Sequence, residues 1–298
     1  MIKVGYLGPE GTYTHQAAIQ QFGNSEEYEL LPLSSINDCF ERLNNDEIKY
    51  SVVPFENSTN GQVMFTYDLF REWLINNESQ MHVVAEQFVS IHHNLLSKVK
   101  DISKIKKIYT HPQAWGQCTN WLKQYASGIQ KIDSSSTSKA AEIAKEANEE
   151  DGIAAIASSY ASTVHDIPIL YPHVENNSTN TTRFLILSKE NNYINTASSD
   201  EDKKLTVLAF ILKNNEPGEL VKTLNVLSDY GIDMTSITSR PSLIQSWQYI
   251  FFIEFYADYF NDGRIKTILE EFDLTCQKSI VLGCFSRNQS YYKDIPNK

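Results

Sequence analysis

Basic clusters are the first thing missing from this chain: no run of Lys or Arg exceeds a pair, and 26 Lys and Arg stand against 37 Asp and Glu, a formal charge of −11. Without a positive footprint, nucleic acid and anionic membrane surfaces are excluded as partners. Long apolar runs are missing too. The most apolar stretch, Tyr249 to Tyr256, is broken by Glu254 and falls far short of the roughly 20 residues that span a bilayer. The opening Ile2-Lys3-Val4-Gly5-Tyr6-Leu7 reads as a strand, without the charged head, apolar body and small-residue cleavage site of a signal peptide, so a cytoplasmic location is expected. Cysteine is scarce. Cys39, Cys118, Cys276 and Cys284 show no CxxC spacing, which argues against a redox pair or thiolate metal site and for a reducing compartment. The histidines, including the adjacent His92 and His93, lack metal-ligand spacing with Cys, Asp or Glu, so no metal and no cofactor is expected.

What is present is enough apolar residue, 41% of 298, to fill two or three domains. Short apolar runs alternate with helical periodicity: Val4 to Leu7, a helix after Thr14, a helix with Ile36, Phe40 and Leu43 on one face, and Ser51 to Phe55. The rhythm continues through Val83 to Ile91, Lys107 to Thr110, a helix over about Gln113 to Tyr125, a Ser-rich start at 134–138, the run Gly152 to Ala157 and a strand at Thr182 to Ser188. Such alternation predicts an α/β fold with sheets covered by helices. A polar stretch over 189–203, without apolar periodicity, predicts a linker. Beyond it the order becomes βαββαβ: strands at Leu205 to Leu212, Met234 to Ser239, Gln248 to Tyr256 and Ser279 to Phe285, with helices at Glu219 to Tyr230 and Arg264 to Phe272. That is a ferredoxin-like unit.

Several strand ends carry groups suited to chemistry. The turn Gly8-Pro9-Glu10-Gly11-Thr12-Tyr13-Thr14 leads from strand to helix, where free N–H groups can hold an anion; a tight turn without a ligand fits its spacing equally well. The strand Val52-Val53-Pro54-Phe55 runs into Glu56, Asn57 and Ser58, at the carboxyl end where open α/β sheets place ligands. The alternative is that Asn57 and Ser58 only cap the next helix. Thr110 and Gln117 flank His111-Pro112 at another strand end, and Asn180-Thr181-Thr182-Arg183-Phe184 puts a hydroxyl, a guanidinium and a ring at a strand mouth. Arg suits bidentate carboxylate recognition, though a surface ion pair is the commoner fate of any single Arg. In the C-terminal unit, Pro217 to Leu220 and Thr238 to Pro241 mark a turn and a strand end.

Taken in order, the segments GPEGTYTHQAA, VVPFENS, THPQAWGQC, TTRF, PGELV and TSRP resemble the monofunctional prephenate dehydratases, from Val4 to about Phe285. The resemblance implies decarboxylating dehydration of prephenate to phenylpyruvate, and a C-terminal ACT domain that senses L-phenylalanine as allosteric effector. It implies a two-lobed catalytic domain over 1–188, like a type II periplasmic binding protein, with lobe one at about 1–80 and 160–188 and lobe two at about 81–159. A linker over 189–203, an ACT domain over 204–286 and a tail over 287–298 would follow. Carried over residue by residue, Thr182, Arg183, Phe184, Glu56 and Asn57 become catalytic, and Ser58, Thr110, Gln117, Gly11 and Thr12 substrate-binding. Pro217, Gly218, Glu219, Leu220, Thr238, Ser239, Arg240 and Pro241 become the phenylalanine site. Two positions depart from the family pattern: Glu219 stands where Ala is usual, and Thr238 where Glu is usual. The family also implies a homodimer or homotetramer paired through the ACT modules.

Prephenate is a dianion, so on an acidic protein local donors must hold it; Arg183, the Gly8 to Thr14 turn and Thr110 are the candidates. Thr182 is expected to donate to the departing hydroxide, and Glu56 to supply a proton where its surroundings raise its pKa. Two other classes compete: a solute-binding protein, which shares the two-lobed fold, and a non-catalytic amino-acid-responsive regulator. Formation of phenylpyruvate from prephenate separates all three.

Overall fold

The computed structural model describes residues 1–23, 25–76, 81–191, 203–214 and 216–288. Most of the anticipated linker, the turn residue Asn215 and nearly all of the anticipated tail lie outside the described residues. By contact the chain forms two compact units: one of Met1–Cys39, Glu56–Gln62 and Phe88–Phe184, and another of Phe40–Phe55, Val63–Gln87 and Leu185 onward. The chain therefore passes from unit to unit inside the strands Tyr50–Asn57, His82–Ser90 and Thr181–Ser188.

In the first unit, strand Ile2–Leu7, helix Tyr13–Phe22 and strand Tyr28–Leu33 make a parallel βαβ unit. A five-stranded sheet follows in the order Ile169–Tyr171, Asn94–Leu96, Ile153–Ala157, Lys107–Thr110, Gln130–Asp133. Along Ile153–Ala157 successive side chains leave opposite faces. Ala154 and Ile156 join Leu95, Ile108 and Leu122, while Ala155 and Ala157 meet Ala140, Ala141 and Ala144 of helix Thr137–Glu146. Both faces are covered, so the strand is apolar throughout instead of alternating.

The helix expected over 113–125 is two helices, Pro112–Gln117 and Thr119–Tyr125, broken where Cys118 leaves helical geometry at φ −121°, ψ 18°. A break frees backbone groups that need partners. Asn176 supplies them: its N–H donates to Gln117 O (2.6 Å), its amide to Gly116 O (3.3 Å) and Thr119 Oγ1 (2.8 Å), and its Oδ1 accepts from Asn120 N (3.0 Å).

The second unit holds the βαββαβ module. Its antiparallel sheet runs Met234–Pro241, Tyr249–Tyr256, Lys204–Leu212, Cys276–Ser286, which places the module's strands in the ferredoxin-like order 2-3-1-4. Leu220, Leu224 and Leu227 of helix Glu219–Asp229 pack with Leu208, Phe210 and Phe272 over one sheet face. Against the module also packs helix Met64–Asn76, whose Tyr67 ring meets Phe252 edge-on at 5.1 Å. The module's last strand then continues into the strand His82–Ser90 by parallel pairing of Gly283 with Val83. Among the described residues no helix is long and apolar enough to cross a membrane.

Candidate active site

Two polar clusters arise in the first unit, and one segment, residues 175–182, feeds both. The first forms where the buried Val52, Val53 and Phe55 give way to Glu56, Asn57 and Ser58. Ser58 and Thr181 exchange hydrogen bonds: Ser58 N–H donates to Thr181 O at 2.8 Å, and Thr181 N–H to Ser58 Oγ at 2.9 Å. Asn57 is held in one orientation, because its Oδ1 accepts from the backbone N–H groups of Thr59 (3.0 Å) and Asn60 (2.8 Å). Its Nδ2 must then be the donor, reaching Asn180 Oδ1 at 2.8 Å, Thr182 Oγ1 at 2.9 Å and Thr181 O at 3.2 Å.

That geometry decides what Thr182 can do. A hydroxyl oxygen that accepts from Asn57 keeps its own proton for another acceptor. Beside it in sequence, the Arg183 guanidinium is buried, 4.0 Å from Glu56 Oε2, and the Phe184 ring sits in the core. Arg183 is therefore no surface residue, and its neighbour Glu56 is a member of the same cluster.

The second cluster centres on Gln117, whose Oε1 lies 2.5 Å from His93 Nε2. On its other side His93 Nδ1 is 3.3 Å from the Tyr13 hydroxyl, which donates to His92 O at 2.7 Å. Burial raises the Tyr13 pKa, so the phenol keeps its proton. Burial lowers the His93 pKa, so the imidazole is neutral. As placed, Nε2–H donates to the Gln117 carbonyl and leaves the Gln117 amide group to donate elsewhere.

A neutral buried imidazole has a consequence for stability. The unfolded chain takes up a proton at His93 near the ordinary pKa of about 6.5, whereas the folded chain does so only at lower pH. Stability present above about pH 6.5 is therefore lost as pH falls through that value toward the folded pKa, by about 1.4 kcal/mol for each pH unit separating the two. Urea unfolding at pH 7.5 and 5.5 should show a smaller loss for His93→Gln than for the parent; an equal loss would refute this account.

Three anticipated contacts have local partners. Thr110 is fully buried and its hydroxyl donates to Ile156 O at 2.7 Å. Gly11 has φ +80° and its N–H donates to His15 Nδ1 at 3.1 Å; an added Cβ would stand 2.6 Å from Ser138 Oγ. Thr12 caps helix Tyr13–Phe22, accepting from His15 N and donating to Leu7 O, each at 3.2 Å. Gly11 and Thr12 shape the turn, Thr110 ties its strand to Ile156, and the donors of all three serve the fold.

The residues of the anticipated phenylalanine site lie in the second unit. Gly218, at φ +92°, starts helix Glu219–Asp229 after Pro217, and Leu220 packs on the module's core. Among the described residues the buried Thr238 Oγ1 has no hydrogen-bond partner, and Ser239 is exposed. Arg240 is bidentate to Asp68 of helix Met64–Asn76, with Nε and Nη2 each at 2.8 Å. From the same helix, Arg71 Nη1 donates to Pro241 O at 3.3 Å.

Sequence reasoning gave no role to Asn180, Tyr13, His93 or Asp68. Asn180 was within reach, two residues before Thr182; the others join partners tens of residues away and carry no local signal.

Comparison with known proteins identifies the family. The family model described as prephenate dehydratase matches residues 4–192. A probable prephenate dehydratase of Saccharomyces cerevisiae is 36% identical, covering 98% of each chain, and a prephenate dehydratase of Lactococcus lactis subsp. lactis is 35% identical, covering 96% of this chain and 98% of that one. Among solved structures, a prephenate dehydratase in complex with L-Phe from Arthrobacter aurescens superposes with a TM-score of 0.82 at 24% identity, covering 97% of this chain and 91% of that one. At that identity the likeness concerns the fold.

Proposed function

The chain belongs to the prephenate dehydratase family, and from that premise we propose that Thr182, oriented by Asn57, is the donor to the departing oxygen. The enzyme is a carbon–oxygen lyase that takes prephenate to phenylpyruvate. The bond between a ring carbon and its carboxylate breaks, and the carboxylate leaves as carbon dioxide. The electron pair enters the ring and expels hydroxide, which becomes water on taking a proton. Aromatisation drives the step, so help is needed mainly where negative charge gathers on the leaving oxygen.

The observation that carries this reading is the Asn57 Nδ2 to Thr182 Oγ1 hydrogen bond of 2.9 Å, which leaves the hydroxyl proton as the one Thr182 can offer. Arg183 and Gln117 are the proposed anchors for the substrate carboxylates, with Glu56 setting the position of the guanidinium and His93 that of the amide. Ser58 holds the Thr181 backbone beneath the substrate, Phe184 packs the strand in place, and Thr110, Gly11 and Thr12 shape the cleft walls. Incubation with prephenate, followed by the ultraviolet absorbance of phenylpyruvate in alkali, tests the activity; a folded protein that forms none would refute it.

The second part of the proposal is feedback by phenylalanine at Pro217 to Leu220 and Thr238 to Pro241 of an ACT module over 204–286. The Thr238 hydroxyl, which has no hydrogen-bond partner among the described residues, suits a polar effector group. Arg240, already held by Asp68, carries the signal to helix Met64–Asn76, which follows Glu56–Gln62 directly in the chain. Asp68→Asn should raise the phenylalanine concentration for half-inhibition by about 5- to 150-fold, the range of ordinary coupling energies, with uninhibited kcat/KM unchanged. An unaltered inhibition curve would remove the ion pair from the route.

A homodimer or homotetramer is proposed as well. Leu243, Ile244 and Trp247 are exposed on the turn after the module's edge strand Met234–Pro241, an apolar surface that a second copy would cover. Gel filtration with and without phenylalanine reads this; a monomer under both conditions would exclude it. Four free, buried cysteines suit the proposed cytoplasmic location.

A further inference from the structure

Histidine spacing gives no hint of a metal, yet folding gathers His92, His173 and Glu175 so that one ligand atom from each lies within 4.8 Å of the others. Glu175 Oε1 is 2.9 Å from His92 Nδ1 and 3.1 Å from His173 Nδ1. Ligands bound at 2.0–2.1 Å around a tetrahedral ion stand about 3.3 Å apart. The two carboxylate–imidazole separations need to widen by only a few tenths of an ångström.

The surroundings have the features of a built site. The Glu175 side chain is only 3% exposed, and its Oε2 is fixed by His93 N–H at 2.9 Å. The two imidazoles meet edge to face, centroids 5.0 Å apart at 81°. His173 is held at φ +54°, a left-handed conformation that costs energy for a residue with a Cβ. Its N–H is tied to Asn94 Oδ1 at 3.2 Å. The His92 and His173 side chains are 36% and 65% exposed, which leaves the solvent side open to a fourth ligand.

We propose that His92, His173 and Glu175 form a site for a divalent cation of the zinc class, closed by water. Two imidazoles and one carboxylate favour zinc, cobalt or nickel over magnesium and calcium, which take all-oxygen sets. The ion acts as a clamp. Glu175 is followed by Asn176, which fills the helix break beside Gln117. Fixing Glu175 therefore fixes the start of the segment that carries Asn180 and Thr182, with no part in the bond-breaking step.

The test uses full-length, tag-free, chelator-treated protein titrated with Co²⁺, followed by visible d–d absorption and calorimetry, with Zn²⁺ as competitor. One equivalent per chain is expected, displaced by Zn²⁺, with affinity falling at least 10-fold in His173→Ala and in Glu175→Gln, as loss of a ligand predicts. His173 is largely exposed, so that variant should fold even if Glu175→Gln does not, and circular dichroism checks both. Absence of saturable binding, unchanged affinity in folded His173→Ala, or a thiolate charge-transfer band that places the ion on cysteine would each overturn the proposal.

Discussion

Thr182→Ala is expected to lower kcat on the order of 10²–10³-fold, with KM changed far less, because removal of one preorganised donor at a developing oxyanion has that size of effect. The argument rests on the direction of one hydrogen bond. Asn57 cannot turn its amide over, since Oδ1 accepts from Thr59 and Asn60, so Nδ2 must donate to Thr182. The hydroxyl is thus preorganised as a donor before substrate arrives. Thr182→Ser keeps the hydroxyl and should retain most of the activity, which separates loss of the proton donor from loss of the side-chain methyl. Steady-state kinetics with prephenate measure both variants. A Thr182→Ala enzyme turning over within a few-fold of the parent would end the assignment.

Gly283→Val should give the largest loss of stability. A Cβ at position 283 would lie 2.1 Å from Val83 O and 2.8 Å from both Val83 C and Val83 N. All three are backbone atoms of the paired strand, so no side chain can swing aside, and the strands must part. Overpacking of this kind costs about 1–3 kcal/mol and more where the backbone must move. At about 2–4 °C per kcal/mol for a chain of this order, Tm should fall by about 10 °C. A thermal scan measures it, and a Tm within a degree of the parent would mean that the pairing of Gly283 with Val83 contributes little. Phenylalanine should also inhibit this variant less, since the module's last strand would no longer be registered on the strand that contains Val83.

Each element missed in the sequence has its own physical cause. Helix Met64–Asn76 buries Thr66, Tyr67, Phe70, Arg71, Trp73 and Leu74 on one face, but that face includes the polar Thr66 and Arg71 while Met64 and Phe65 stand exposed, which blurs the apolar stripe that marks an amphipathic helix. Strand Tyr28–Leu33 contains Glu29 and Pro32, which mask it as a loop; Pro is tolerated on strands at an edge. The helix break at Cys118 was hidden because its remedy, Asn176, lies 58 positions away (176 − 118).

What the sequence by itself determined is local or covalent: the α/β alternation, the βαββαβ order, and the juxtaposition of Glu56 with Asn57 and of Thr182 with Arg183 and Phe184. Periodicity and neighbouring residues are written in the chain. The tertiary structure alone decided which atoms became donors. It made the Thr182 oxygen an acceptor from Asn57, committed the Thr110 proton to Ile156, gave Arg240 to Asp68, and brought His92 to His173 and Glu175. A hydrogen bond depends on direction within a few tenths of an ångström, and residues distant in the chain acquire that relation only when the backbone has been folded.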